Sequence, residues 1–332
     1  MSDRHGNFRD PVGLVRRMLA SGKPAAMFSL VREVARYLLK PLDWALAPWE
    51  GRRIRRGGPG GKPIVLIVGA PRSGSTLLYQ VLAAHLPVSY PSNLTDLFSR
   101  APITATARLG RFARRKLDYR FHYGNTASLG APSAGFSLWN RWLGADRYRV
   151  PSEMAPGVAA DMRAFFAAWE TAFEGPFLCK NNRNTAGIGV LATELPNAKF
   201  IVIRRDPLFV AQSLLEAREH VQGDRAVGWG LGASPHPSEG DHLAEVADQV
   251  FGIESLVQEA IAHLDPARVL ELGYAELCAD PTQIVARVAG WLDLAPKDLD
   301  ELTPFVSTDQ ARLGGEEFAR LGREIRTRFP SQ

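Results

Sequence analysis

Apolar residues fall into two patterns along the chain. In AAMFSLVREVARYLL (25–39), Met27, Leu30, Val31, Val34 and Leu38 recur at helical spacing, and Pro41 is expected to end that helix. From Pro63 onward short, mainly apolar runs alternate with longer helical ones, and the first of them, IVLIVG, is wholly apolar and β-branched. IVLIVG (64–69), FLCK (177–180), KFIVIRR (199–205) and RVLELG (268–273) predict buried parallel strands. LLYQVLAAHL (77–86), AGIGVLATEL (186–195), PLFVAQSLLEAREHV (207–221) and QIVARVAGWL (283–292) predict helices. Asp206-Pro207 and Asp280-Pro281 supply an N-cap followed by a proline in the first turn. Strands alternating with helices imply an α/β fold: a mainly parallel sheet flanked by helices, its strand C-termini on one edge, where ligands bind. GRRIRRGGPGGKP (51–63) reads as a glycine-rich linker, which divides the chain into a basic helical extension over 1–62 and an α/β domain over 63–332. Residues 88–152 are irregular and too long for a simple connection, so they are expected to form an acceptor-binding or lid insertion.

Composition changes this picture little, and charge changes it more. Of 332 residues, 45% are hydrophobic and 23% charged, which excludes collagen-like, disulfide-scaffold and disordered classes. Two cysteines, Cys179 and Cys278, suit a reduced compartment and cannot build a cysteine-based metal site by themselves. No apolar stretch is long enough to span a membrane, and the first 25 residues have no apolar core like that of a signal peptide. A cytoplasmic location is therefore expected. The net charge of +5 comes from residues 1–62, which hold 13 Lys and Arg against 5 Asp and Glu; the remainder is slightly acidic. A basic extension on an acidic body argues against a nucleic-acid binder. For residues 26–56, with Trp44 and Trp49 among basic neighbours, a plain solvated surface and peripheral contact with a membrane both stay open.

The chemistry begins at Gly69-Ala-Pro-Arg-Ser-Gly-Ser-Thr76, between a buried strand and a helix. Backbone N–H groups at a helix N-terminus form an anion site, and the helix dipole adds to it. Gly74 permits close approach, Ser73, Ser75 and Thr76 offer hydroxyls, and Arg72 offers a fork of donors suited to phosphate-like oxygens. The spacing is nearly that of a nucleoside-triphosphate P-loop, but Ser75 stands where its lysine belongs. A kinase-like phosphotransferase is thus the weaker alternative, beside a non-catalytic nucleotide-binding protein of the same fold.

GAPRSGSTLL resembles the 5′-phosphosulfate loop of sulfotransferases, whose donor is 3′-phosphoadenosine 5′-phosphosulfate (PAPS). KFIVIRRDPLFVAQSLL resembles the same family's 3′-phosphate motif, with Arg205 closing a strand and Ser213 eight residues on, back on the same face of the next helix. FLCKNN before LPNAKFIVIRRDP is similar to the approach to that motif in Golgi-type and bacterial members. YAELCADP resembles the family's stretch near the adenine, with Ala275 replacing a Glu, and nominates Tyr274. The resemblance spans about 63–295. It implies a P-loop-like fold, PAPS as donor, adenosine 3′,5′-bisphosphate as product, no metal, and an acceptor bearing a hydroxyl or amine, such as a sugar, lipid or small metabolite. It also implies that Arg72 and the 73–76 backbone hold the 5′-phosphate and that Lys180 stabilises charge on the leaving group.

In-line transfer of a sulfuryl group rests on positioning and electrostatics, as phosphoryl transfer does. The cytosolic branch carries a His two positions after its lysine; here Asn182 occupies that position and cannot act as a base. Asp96, the single carboxylate between 86 and 117, is the candidate base, with His122 and His220 as rivals. Aromatic residues within 88–152 (Tyr119, Phe121, Tyr123, Phe136, Trp139 and Trp142) and residues of 219–242 (Trp229, His236 and His242) could wall an acceptor pocket or belong to the core. RLGRFARRK (108–116) reads as a solvated helix face or as a contact for an anionic acceptor.

Overall fold

In the computed structural model, residues 10–113, 119, 121–122, 125–146, 150–233 and 240–330 are described, with Phe121, His122 and Asn125 described in backbone only. The first elements are α1 (Pro11–Ala20), α2 (Pro24–Leu38) and α3 (Lys40–Arg55), followed by β1 (Ile64–Val68), α4 (Ser75–His85), α5 (Asn93–Leu97) and α6 (Pro102–Leu109). Then come β2 (Phe121–His122), β3 (Asn125–Thr126), α7 (Phe136–Leu143), α8 (Pro156–Ala172), β4 (Phe177–Lys180), α9 (Asn182–Ala186), α10 (Ile188–Glu194) and β5 (Ala198–Arg204). The chain continues through α11 (Pro207–Gln222), α12 (His242–Ala262), β6 (Val269–Gly273), α13 (Tyr274–Ala279), α14 (Pro281–Leu292) and α15 (Gly315–Arg328).

Four strands form a parallel sheet in the order β4-β1-β5-β6, with Leu66 beside both Cys179 and Phe200. Both faces are covered, and this is why the central β1 reads as an unbroken apolar run, whereas the edge strand β6 carries the exposed Glu271. Alternate side chains divide between two cores. Leu66, Val68, Phe177, Cys179, Phe200 and Val202 pack under α7, α8, α10, α11, α12 and α15. Val65, Ile67, Leu178, Ile201, Ile203 and Leu272 pack under α4, α13 and α14. The α/β expectation holds. Because the strands run in parallel, Gly69, Lys180, Arg205 and Tyr274 all leave the sheet at one edge.

The N-terminal region departs from expectation. Pro41 does not end the helical run: α2 stops at Leu38, and Pro41 sits in the first turn of α3, where a missing N–H costs nothing. Residues 51–55 are therefore helical, and the linker begins after Arg56. Helix α1 is an addition. Asp10-Pro11 starts it with the device used at Asp206-Pro207, the Asp10 carboxylate accepting from Gly13 N at 2.7 Å. All three helices lie against the rest of the chain. Arg17 donates to the His220 and Val221 carbonyls of α11, and α3 packs on α6 and α8.

Candidate functional site

The loop after β1 owes its shape to two glycines and one arginine in the left-handed region. Gly69 has φ 139, Arg72 φ 75 and Gly74 φ 93. A Cβ at Gly69 would lie 2.6 Å from the Ile203 carbonyl oxygen, and one at Gly74 would lie 2.3 Å from the Tyr274 ring. Thr185 of α9 clamps the loop from the side, its hydroxyl bonding both the N–H and the C=O of Gly69 at 3.1 Å. Helix α4 then begins at Gly74 with no side-chain cap, whereas α11, α12 and α14 are each capped by an aspartate. The first-turn amides of α4 thus keep their hydrogen-bonding capacity. Buried Ser73 adds to it, since its Oγ finds no partner among the described residues. Ser75 is buried and Thr76 half-buried on the first turn.

Two cations border this N-terminus. Arg72 Nε donates to Ser213 Oγ at 2.9 Å. Lys180 ends β4, half-buried; burial, and then the Arg72 charge, bring its ammonium down to about 8. An anion placed here would restore the proton that desolvation disfavours.

Arg205 occupies a different environment. Its Nη1 donates to the Arg72 carbonyl at 2.7 Å, its Nε to Asp309 Oδ1 at 2.7 Å and its Nη2 to Thr308 Oγ1 at 3.0 Å. Its guanidinium lies 4.4 Å from the centroid of the Tyr274 ring, and the Tyr274 hydroxyl meets Thr308 Oγ1 at 3.1 Å. Arg205 and Ser213 therefore do not bond one another; each is joined to Arg72. Asp206, the nearest acid in sequence, caps α11 through Leu208 N and takes no part. The neighbouring Arg204 pairs instead with Glu254 and Glu271.

Thr308 and Asp309 were missed in sequence. They lie in an irregular stretch with no periodicity, and only the polar run Ser307-Thr308-Asp309-Gln310 marks it. Gln212 of α11 binds the stretch down: its Nε2 donates to the Gln310 carbonyl at 2.8 Å, and its Oε1 accepts from Arg312 N at 2.7 Å.

Asp96 lies elsewhere in this region. It sits on α5, 2% exposed, and accepts from Ser133 Oγ and Ser137 Oγ, both at 2.6 Å, and from Ser137 N at 3.3 Å. Ser92, not Asp96, caps α5. His220 lies at the far end of α11, about 20 Å along the helix from its start at a rise of ~1.5 Å per residue. His242 opens α12, its Nε2 3.8 Å from Glu317. His122 falls in β2, and Tyr123 and His236 lie outside the described residues. Of the aromatic candidates, Trp139 and Trp142 are core: they are 0% and 4% exposed and stack edge-on at 5.6 Å among Phe165 and Phe166. Trp229 packs against the same core, and Tyr119 bonds His85 Nε2 at 2.6 Å. Among the described residues, no cluster of His, Cys, Asp and Glu could hold a metal ion.

An uncapped helix N-terminus with two cations on the ligand edge of a parallel sheet can bind an anionic group and stabilise charge developing on it. Sequence and fold comparisons point to one kind of protein. The profile of the sulfotransferase family matches residues 63–298. Among solved structures, sulfotransferase STF9 from Mycobacterium avium superposes with a TM-score of 0.53 at 15% identity, over 83% of this chain and 78% of that one. Sulfotransferase STF1 from Mycobacterium tuberculosis H37Rv superposes with a TM-score of 0.50 at 14% identity, over 96% of this chain and 92% of that one. These two likenesses are of fold. No curated protein matches the sequence.

Proposed function

The chain belongs to the sulfotransferase family, and from that premise we propose that it moves the sulfuryl group of PAPS to a hydroxyl or amine of an acceptor such as a sugar, lipid or small metabolite, releasing adenosine 3′,5′-bisphosphate. The observation that carries this reading is the start of α4, which has no side-chain cap, beside the interacting cations Arg72 and Lys180, in a loop that lacks the lysine of a triphosphate loop. PAPS supplies the sulfuryl group and its phosphates; the chain supplies position and charge. Arg72, with the amides and hydroxyls of Ser73, Gly74, Ser75 and Thr76, would hold the 5′-phosphate. Lys180 would stabilise negative charge on the departing oxygen. Arg205 and Ser213, both tied to Arg72, would receive the 3′-phosphate, and Tyr274 would border the nucleotide. Asp309 already satisfies part of Arg205, so phosphate binding there requires the Arg205–Asp309 pair to loosen. Asp96 is the carboxylate we assign to proton uptake from the acceptor, within the acceptor-binding part over 88–152; its two serine partners would have to share it with the substrate. Cys179 and Cys278 are both free and buried, which supports a reduced, cytoplasmic setting.

Calorimetry of adenosine 3′,5′-bisphosphate against AMP and ATP, without magnesium, tests the donor site. A clear preference for the bisphosphate is expected. Equal binding of the three would remove the 3′-phosphate assignment and favour a phosphotransferase.

A further inference from the structure

Helix α3 buries two acids beside one leucine: Asp43, Leu46 and Glu50 are 4%, 7% and 2% exposed. The Asp43 carboxylate accepts from the N–H groups of Arg100 and Ala101 at 3.0–3.1 Å, and Glu50 accepts from Ile103 N at 3.0 Å and Thr104 N at 2.7 Å. The two acids thereby close the N-terminus of α6, which its own N-cap residue, Ala101, leaves unbonded. Trp44 is exposed at 65% on one flank of α3, and Leu42 and Trp49, each 42% exposed, lie on the other, about 140–160° round the helix from it. Helix α2, which leads into it, exposes Val31, Val34 and Leu38 at 63%, 61% and 74%, on one stripe at i, i+3 and i+7. An amphipathic surface helix ordinarily does the reverse.

This surface is cationic as well as apolar. Along α2 and α3, Lys40, Arg52 and Arg55 are exposed, with Arg56 next to them, whereas Asp43 and Glu50 are buried and Glu33 pairs with Arg36. Arg100 lies over the Trp44 ring at 4.9 Å and Arg108 over Trp49 at 5.1 Å, while Arg52, Arg55 and Arg56 are exposed just beyond Trp49. A second copy would set these charges against their like. A nucleic acid would satisfy the arginines but leave the apolar side chains in water. We propose that the outer face of α2 and α3 docks the protein on an anionic lipid bilayer: valine and leucine enter the acyl boundary, tryptophan sits at headgroup depth, and the arginines meet lipid phosphates. No described helix is long and apolar enough to cross a membrane, so the contact is peripheral. The docked surface adjoins the α5 region, because buried Arg32 of α2 donates to Asn93 of α5 at 2.5 Å. The assignment stands independently of the donor chemistry.

Co-sedimentation of the full chain with vesicles of phosphatidylglycerol in phosphatidylcholine, and with phosphatidylcholine alone, tests it. Binding to the anionic vesicles, weakened by salt, is expected. The double variant Leu38→Ser, Trp44→Ser should reduce partitioning about tenfold or more, as loss of buried apolar area requires. Its thermal midpoint should fall only slightly, because Leu38 is exposed and Trp44 loses only its contact with Arg100; Val31→Ser with Val34→Ser is a second, independent pair. No binding to anionic vesicles, or undiminished binding by both variants, overturns the proposal. So does a concentration-dependent dimer in sedimentation velocity that the same substitutions dissociate, for the face would then be an interface between copies.

Discussion

Two neighbouring exits from the sheet, after β1 and after β5, begin alike and end differently. Both are a strand, a tight turn and a helix. After β1 the helix opens on Gly74 with no side-chain cap, beside a buried Ser73 hydroxyl that has no partner among the described residues. After β5 the helix is capped by Asp206, and the arginine at the strand end is held by Asp309, Thr308 and the Arg72 carbonyl. The first exit leaves donors for a ligand. The second has its donors taken up by the chain itself: a polar strap from far along the sequence closes on Arg205 and leaves its side chain 4% exposed. A strand-end cation is thus not a binding group by position alone; what else reaches it decides.

The sharpest way to break the comparison is Lys180→Ala. If the first exit carries the chemistry, turnover should fall about 100- to 1000-fold, with bisphosphate affinity changed far less. Unchanged turnover in a steady-state assay would take Lys180 out of the mechanism. Gly74→Ala comes next. The new methyl meets the Tyr274 ring at 2.3 Å in a backbone of φ 93, so a loss of about 2–4 kcal/mol in urea unfolding is expected. A stable variant would mean that the loop relaxes away from Tyr274.

Asp96→Asn separates two roles. A base predicts lost turnover with fold and donor binding intact. A purely structural acid predicts a stability loss of about 1–3 kcal/mol as the bonds from Ser133 and Ser137 weaken, with turnover falling only in proportion to unfolding. Asp309→Asn probes the second exit directly. With the competing carboxylate gone, bisphosphate binding should tighten by about 1 kcal/mol while stability falls by a similar amount, because Arg205 loses its partner. If both fall together in calorimetry and thermal melting, Asp309 positions Arg205 and does not compete with the ligand.

The smallest effect is that of pH. Lys180 titrates near 8 in the free chain, well below its ordinary 10.5. Anion affinity should therefore weaken as pH rises past 8 and the ammonium is lost. The stability of the free chain shifts in the opposite sense: between about 8 and 10.5 the unfolded lysine binds the proton that the folded one has lost, so the Lys180 contribution becomes more favourable as pH rises. Lys180→Met should flatten both slopes, and an unaltered profile would assign them to another group.

The strands and the glycine-rich loop after β1 were legible because a buried parallel strand and a glycine-rich turn each leave a local pattern. IVLIV and the turn after it carry their own signal. Pro41 misled because proline ends one helix and starts the next equally well, and only the packing of α3 on α6 and α8 shows which. Trp139 and Trp142 looked alike as pocket wall or core, since an aromatic residue carries no mark of what it faces. Thr308 and Asp309 stayed hidden because a residue about a hundred positions away leaves no periodic trace beside Arg205.

The sequence by itself therefore determined the alternation of the four sheet strands with helices, the glycine-rich loop between β1 and α4, and the cations at the strand ends, because all of these depend on short-range spacing and backbone stereochemistry. Only the tertiary structure decided how Arg205 and Ser213 are shared with Arg72, that Asp309 closes on Arg205, and that α3 turns its acids inward and its tryptophans out. Those outcomes depend on which distant groups arrive together. A side chain's burial and hydrogen-bond partners are properties of the packed chain, not of its neighbours in sequence.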